Sequence, residues 1–285
     1  MLGSLLRGVA VSRRRVDLPV WSRFDRTGEH CENLWLPSDW RDAAREGRSA
    51  IPSRVREPRE GEDVLKSSVN NGKLKGPQFV VGIPAGQASY TLPLPEVESC
   101  PPSCRFIDPD SNVPCKAMSY WTLTRYRFGT AFSACIATNL DALDARHPNG
   151  YWVYLHVSGD FDVYRNDDPE YALMWEQHLQ RRSALNVWGN THCRRAGMIG
   201  RVLTRMNAMP GRRSVIRFSH DVGPYSSTTI RTRADRRLGD FVCLADYLKI
   251  SCMECGLCID RPDLRVAFIE RETRTPTMRV APVTR

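Results

Sequence analysis

The stretch "YWVYLHVSGDF", residues 151–161, decides how this chain is read. Its first seven residues are apolar on both faces of an extended segment, as befits a strand buried inside a parallel sheet. A polar loop follows, "SGDFDVYRNDD", and then Pro169 opens a helix running to about Gln180, proline being favoured in a first turn. "ALNVWGN" (184–190) reads as a second strand, "RAGMIGRVLTRMNAM" as a second helix and "RSVIRFS" (213–219) as a third strand. Strand starts spaced by about 30 residues are the repeat of βα units. Right-handed crossovers of this length build a parallel sheet covered by helices.

Working outward, "LRVAFIE" (264–270) reads as a further strand, and Phe79–Val81 of "PQFVVGIPAG" as the first. The expected fold class is α/β: a partial (β/α) barrel, or a parallel sheet flanked by helices, with cysteine-rich metal-binding loops. Residues 1–75, rich in Arg, Glu, Ser and Pro, read as an irregular, largely disordered extension; 76–275 form the α/β domain and 276–285 a tail.

Ligands of parallel α/β folds bind at the carboxyl ends of the strands. Those ends carry Ser158-Gly159-Asp160, Asn190-Thr191-His192 and Ser219-His220-Asp221. The candidate cofactor-binding residues are therefore Ser158, Gly159, Asp160, Thr191, His192, Ser219, His220 and Asp221.

The chain has 285 residues, 41% apolar and 26% charged, the composition of an ordinary globular protein. No apolar run approaches the ~18 residues that span a bilayer, so no membrane partner is expected. "MLGSLLRGVAVSRRR" carries its charge after a short apolar patch, unlike a secretory signal; it reads as a solvated tail, with a transit-type leader as the alternative. The net charge of +9 is concentrated in Arg181–Arg237, where thirteen arginines face two acids, Asp221 and Asp235. Such a segment suits phosphate, which points to a nucleic acid or nucleotide partner. The bland alternative is a general arginine bias, since the chain has 36 arginines and five lysines.

Ten cysteines fall into two tight groups and three strays, Cys31, Cys135 and Cys193, which read as ordinary thiols. Tight spacing in a chain with its own apolar core favours metal ligation in a reducing cytoplasm over a disulfide scaffold. One group is Cys100, Cys104 and Cys115; the other is Cys243, Cys252, Cys255 and Cys258, a C-x8-C-x2-C-x2-C run. Thiolates are soft ligands for zinc or iron–sulfur clusters, and for the second group both stay open. Four thiolates close a site; three leave an iron open to a small molecule.

Several of these pieces occur together in a known family. "NNGKLKG", "PAGQASYTLP", the Cys100/Cys104/Cys115 group, "LHVSGDF", "VWGNTH" and "CMECGLC" resemble, in order, motifs of the phage and plasmid gene product 88 domain family, over about residues 68–272. That family has Cys-Tyr-Ala where this chain has Cys115-Lys116-Ala117, and a shorter loop between Cys104 and Cys115. The resemblance implies origin and fold; the family has no established activity. More loosely, the chain is similar to radical S-adenosylmethionine enzymes, which hold a three-thiolate [4Fe–4S] cluster near the start of a partial barrel. That likeness implies that Cys100, Cys104 and Cys115 bind the cluster, that Asp160 helps bind S-adenosylmethionine, and that the second group holds an auxiliary centre. The alternative is a non-catalytic, zinc- or cluster-stapled nucleic-acid-binding protein of a mobile element.

Overall fold

The computed structural model describes residues 55–67, 88–95, 99–101, 104, 124–230, 233–244 and 252–269. The strand expected at Phe79–Val81, the "NNGKLKG" motif, Cys31, Cys115 and the C-terminal tail lie outside the described residues.

The 151–161 stretch forms a strand, β5 (Tyr151–Ser158), and its two apolar faces meet two different layers. Tyr151, Val153 and Leu155 enter the main core, whereas Trp152 and Tyr154 pack into a second cluster with Trp188, Val215, Tyr225, Cys252 and Ile259. Period-two alternation explains the division, because successive side chains of a strand point to opposite faces. The next strands divide likewise. In β6 (Leu185–Thr191), Leu185 and Val187 face the main core and Trp188 the second cluster. In β7 (Ser214–Ser219), Ile216 and Phe218 face the main core and Val215 the second cluster.

Among the described residues the sheet has the order β2–β3–β5–β6–β7–β8–β10–β9. Here β2 is Lys66–Ser67, β3 Ala88–Pro93, β8 Ser226–Ile230, β9 Asp240–Val242 and β10 Arg265–Ile269. All neighbours are parallel except β2, which runs antiparallel to β3. The sheet is thus mixed, mostly parallel and open. A separate parallel pair joins β1 (Val55–Arg56) to β4 (Arg125–Tyr126). Residues 55–67, within the stretch read as an extension, therefore contribute two short strands and the core residues Val64 and Leu65. Asn139 anchors them: its side-chain oxygen accepts the N–H groups of Val64 and Leu65.

Three helices supply the main core: α1 (Thr130–Arg146), α2 (Glu170–Arg181) and α3 (Met198–Asn207). From β3 to β5, β6 and β7 the chain always steps in one direction across the sheet. Right-handed crossovers stepping one way put every helix on the same face. The opposite face is covered by the cysteine segment, with short helices α4 (Cys252–Cys255) and α5 (Leu257–Asp260), through Ile259 and Cys252. "CMECGLCID" is thus a structural layer as well as a cysteine motif. Gly256 between the two helices has φ +58°, the left-handed conformation that glycine adopts without strain.

The β5–α2 loop is tied down by its own acids. Asp162 accepts the N–H groups of Asn166 and Asp167. Asp167 then caps α3, accepting from Met198 N and Ile199 N, so a loop after one strand sets the helix after the next.

Candidate active site at the carboxyl edge of the sheet

Parallel pairing brings the ends of β5, β6 and β7 to one edge, so the three polar triplets do come together. Their roles differ. Ser158 is buried, and its hydroxyl donates to Leu94 O. Gly159 has φ +80° and sits against Ser99 and Leu94. Asp160 is 2% exposed, and its carboxylate is fully engaged inside the protein. Its Oδ1 accepts from the Thr191 hydroxyl (2.6 Å) and Phe161 N (2.7 Å), and its Oδ2 from His192 N (2.7 Å). Burial alone would raise the Asp160 pKa; hydrogen bonding and charge from His192, with His156 and Thr191, hold it below the usual carboxylate range instead. Thr191 is wholly buried. These four residues build the edge rather than line it.

The residues that reach the surface are His192, Ser219, His220 and Asp221. The His192 Nδ1 lies 3.6 Å from Asp160 Oδ2, and the His192 side chain is 24% exposed. Its ring centroid is 5.9 Å from that of His220, which is exposed and has φ +63°. Asp221 accepts from Arg195 Nε at 2.6 Å and from Val222 N. A buried carboxylate beside one imidazole, with a second imidazole next to it, is an arrangement that can move protons.

Sequence reading missed three residues of this edge. Ser99 Oγ accepts the Asp160 N–H at 3.0 Å and donates to Pro95 O, bringing the start of the first cysteine group beside Asp160. Cys100 and Cys104 are both buried and in contact with one another. Cys193, read as an ordinary thiol, has its N–H on Thr191 Oγ1 and its sulfur 3.8 Å from Asp160 Oδ1. His156 is the third. It interrupts β5 with φ +65°, where the β3–β5 register shifts from Leu92↔Leu155 to Pro93↔Ser158. Its Nε2 meets the Tyr171 hydroxyl at 3.0 Å, while Nδ1 is buried with no hydrogen-bond partner among the described residues. A lone histidine in an otherwise apolar strand was the available signal.

Burial pushes the His156 pKa down to about 4, against a small opposing pull from Asp160. His178, in the last turn of α2, is also pushed down to about 4, by burial and then by Arg182 and Arg181. Both groups are neutral in the fold and bind protons more readily when unfolded, so their stabilisation is complete above about pH 6.5. It is lost as pH falls towards 4, His156 alone accounting for about 3 kcal/mol. Urea unfolding at pH 7.5 and pH 4.5 should show that loss, and an unchanged free energy between them contradicts the assignment.

The second cysteine group sits elsewhere, on the face opposite the helices. Cys243 continues β9, its N–H on Ala267 O, and Cys252 and Cys258 belong to α4 and α5. Burial pushes the Cys258 thiol up to about 12, and its neighbours Cys243, Cys252 and Cys255 add to that push. The four thiols are therefore electrostatic neighbours. Among the described residues, no three His, Cys, Asp or Glu side chains stand as a formed ligand shell.

Part of the Arg181–Arg237 excess is matched by acids within the fold. Arg182 pairs with Asp141 and Asp144, Arg195 with Asp221, and Arg205 with Glu176. Arg213 donates to Leu179 O and Arg182 O, and Arg217 is buried. Arg181, Arg194, Arg201, Arg212, Arg236 and Arg237 are exposed. Among the described residues, no helix is long and apolar enough to cross a membrane. Compared with protein families, curated proteins and solved structures, the chain matches none.

Proposed function

We propose that this chain is a cysteine-ligated metalloprotein, a gene product 88-type protein of a phage or plasmid. Its ligand site is the carboxyl edge of the sheet, and its reaction class is radical S-adenosylmethionine-type chemistry on a nucleotide or nucleic acid. The carrying observation is the Ser99–Asp160 hydrogen bond, which sets the Cys100/Cys104 pair beside the edge where His192 and His220 reach solvent. One-directional winding with helices on one face is also the winding of a partial (β/α) barrel.

The donor chemistry fits. Cys100, Cys104 and Cys115 would hold three irons of a [4Fe–4S] cluster, and such a cluster supplies an electron to a sulfonium cofactor. Asp160 has a different part from direct cofactor binding, because both its oxygens are taken. It is a positioning residue that holds His192, and the ligand contacts fall to His192, Ser219 and His220. Arg194, exposed two residues beyond His192, suits a phosphate-bearing substrate.

The test is protein purified without oxygen from a reducing cytoplasm, analysed for iron, labile sulfide and zinc, and titrated with S-adenosylmethionine by calorimetry. Iron with matching sulfide, and binding abolished by Cys104→Ala, is the expected result. Zinc alone with no sulfide, or S-adenosylmethionine binding unaffected by Cys104→Ala, rejects the reading.

A further inference from the structure

Arg217 is 1% exposed and lies on the sheet face that the cysteine segment covers. All five of its guanidinium hydrogen bonds among the described residues go to main-chain carbonyls. Nε and Nη2 donate to Cys258 O (3.1 and 2.8 Å), Nη1 to Ser226 O (3.0 Å) and Leu264 O (2.7 Å), and Nη2 also to Arg261 O (2.8 Å). The side chain thus stitches β7 to the end of α5 and to the start of β10. Carbonyl dipoles satisfy its protons but carry no net charge. Among the described residues, the carboxylate that bears on it is Asp263, which is exposed and forms a bidentate pair with Arg261. A buried cation without a buried counter-ion is costly. Among the described residues, the thiol that bears on Arg217 is that of Cys258, which in turn is coupled to Cys243, Cys252 and Cys255.

A buried guanidinium bonded to the main chain of the segment that carries Cys258 suits a dianionic centre on that segment. Four thiolates around Zn²⁺ or an oxidised [4Fe–4S] core carry two net negative charges. We propose that Cys243, Cys252, Cys255 and Cys258 hold a metal centre of net negative charge, and that Arg217 is its built-in counter-ion and brace. The inference deepens the metalloprotein reading and rests on its second cysteine group alone. Arg217 touches the ligand segment rather than the metal, so it acts by positioning and charge. Loading the centre then also completes the layer over Trp152, Trp188 and Val215.

The experiment compares wild type, Arg217→Lys and Arg217→Gln, each stripped and reloaded with Zn²⁺ alone, with affinity read by chelator competition. Loss of a residue that orients metal ligands typically costs about 10- to 100-fold in affinity. Arg217→Gln should lose about tenfold or more, and Arg217→Lys should recover part of it because it keeps the charge. A lysine variant no better than glutamine, or a glutamine variant equal to wild type, overturns the proposal while leaving the metal site standing. A wild type that retains no metal at this group removes the reading beneath it. Should Arg217→Gln give no folded protein, the Tm of wild type decides. Metal loading must raise it clearly, and a stripped protein as stable as the loaded one overturns the proposal.

Discussion

Gly159→Ala is expected to destabilise the protein by about 4 kcal/mol and to dismantle the carboxyl edge with it. Two effects add. The backbone has φ +80°, a region that costs an L-residue of order 1 kcal/mol. A Cβ built there also overlaps Ser99 Oγ and stands 2.7 Å from Leu94 Cβ and 3.1 Å from the Leu94 carbonyl carbon. Ser99 cannot yield cheaply, because its hydroxyl oxygen accepts the Asp160 N–H and its proton goes to Pro95 O. Leu94 is wholly buried, its N–H on Ser158 O. Gly223→Ala separates the two effects, since Gly223 has φ +85° but, among the described residues, nothing within 4 Å of the added carbon. Urea midpoints of the two variants give the comparison. Equal losses would show that crowding against Ser99 and Leu94 counts for nothing.

Asp160→Asn is expected to cost about 3–5 kcal/mol, far more than an isosteric change on the surface. Phe161 N–H donates to one carboxylate oxygen and His192 N–H to the other, both at 2.7 Å. A carboxylate accepts on both sides; an amide must turn its NH₂ towards one of those N–H groups whichever way it is flipped. One buried donor then faces another, with Thr191 held in the same knot. Thr191→Val, which removes one donor to the carboxylate and the acceptor of the Cys193 N–H, should cost about 2 kcal/mol. Thermal unfolding of both variants checks the ratio. The depressed Asp160 pKa gives the sign of its pH dependence: its contribution holds above the unfolded carboxylate range and disappears as pH falls below it. In strong acid the gap between wild type and Asp160→Asn should therefore narrow.

The βα rhythm from Tyr151 to Ser219 was readable because each unit is set by neighbours in the chain. Pro169 opens α2 as expected, and the strands at 185–191 and 214–219 fall within a residue of their sequence-predicted limits. α1 went unread: its buried Phe132, Cys135, Ile136, Asn139, Leu140 and Leu143 do recur at helical spacing, but a polar asparagine sits in the stripe. Asn139 occupies a core position because it serves the N–H groups of Val64 and Leu65, about seventy-five residues away. β8, "SSTTI", is too polar to announce itself and is held by its parallel neighbours β7 and β10. Arg217 did leave a mark, as a lone charge inside the apolar "SVIRFS".

By itself the sequence determined the repeating units, the edge at which their polar ends meet and the two cysteine groups. Apolar alternation, proline placement and ligand spacing all act over a few residues, so they survive without knowledge of the fold. Only the tertiary structure decided what the polar residues are for. It turned Asp160 inward onto Phe161, Thr191 and His192, and left the histidines at the surface. It gave three of the arginines, Arg182, Arg195 and Arg205, acidic partners on separate elements. It set Arg217 beneath cysteines about forty residues further along. Charge and hydrogen-bonding partners are chosen by proximity in space, and buried groups must find one, so their roles are settled only when distant segments pack together.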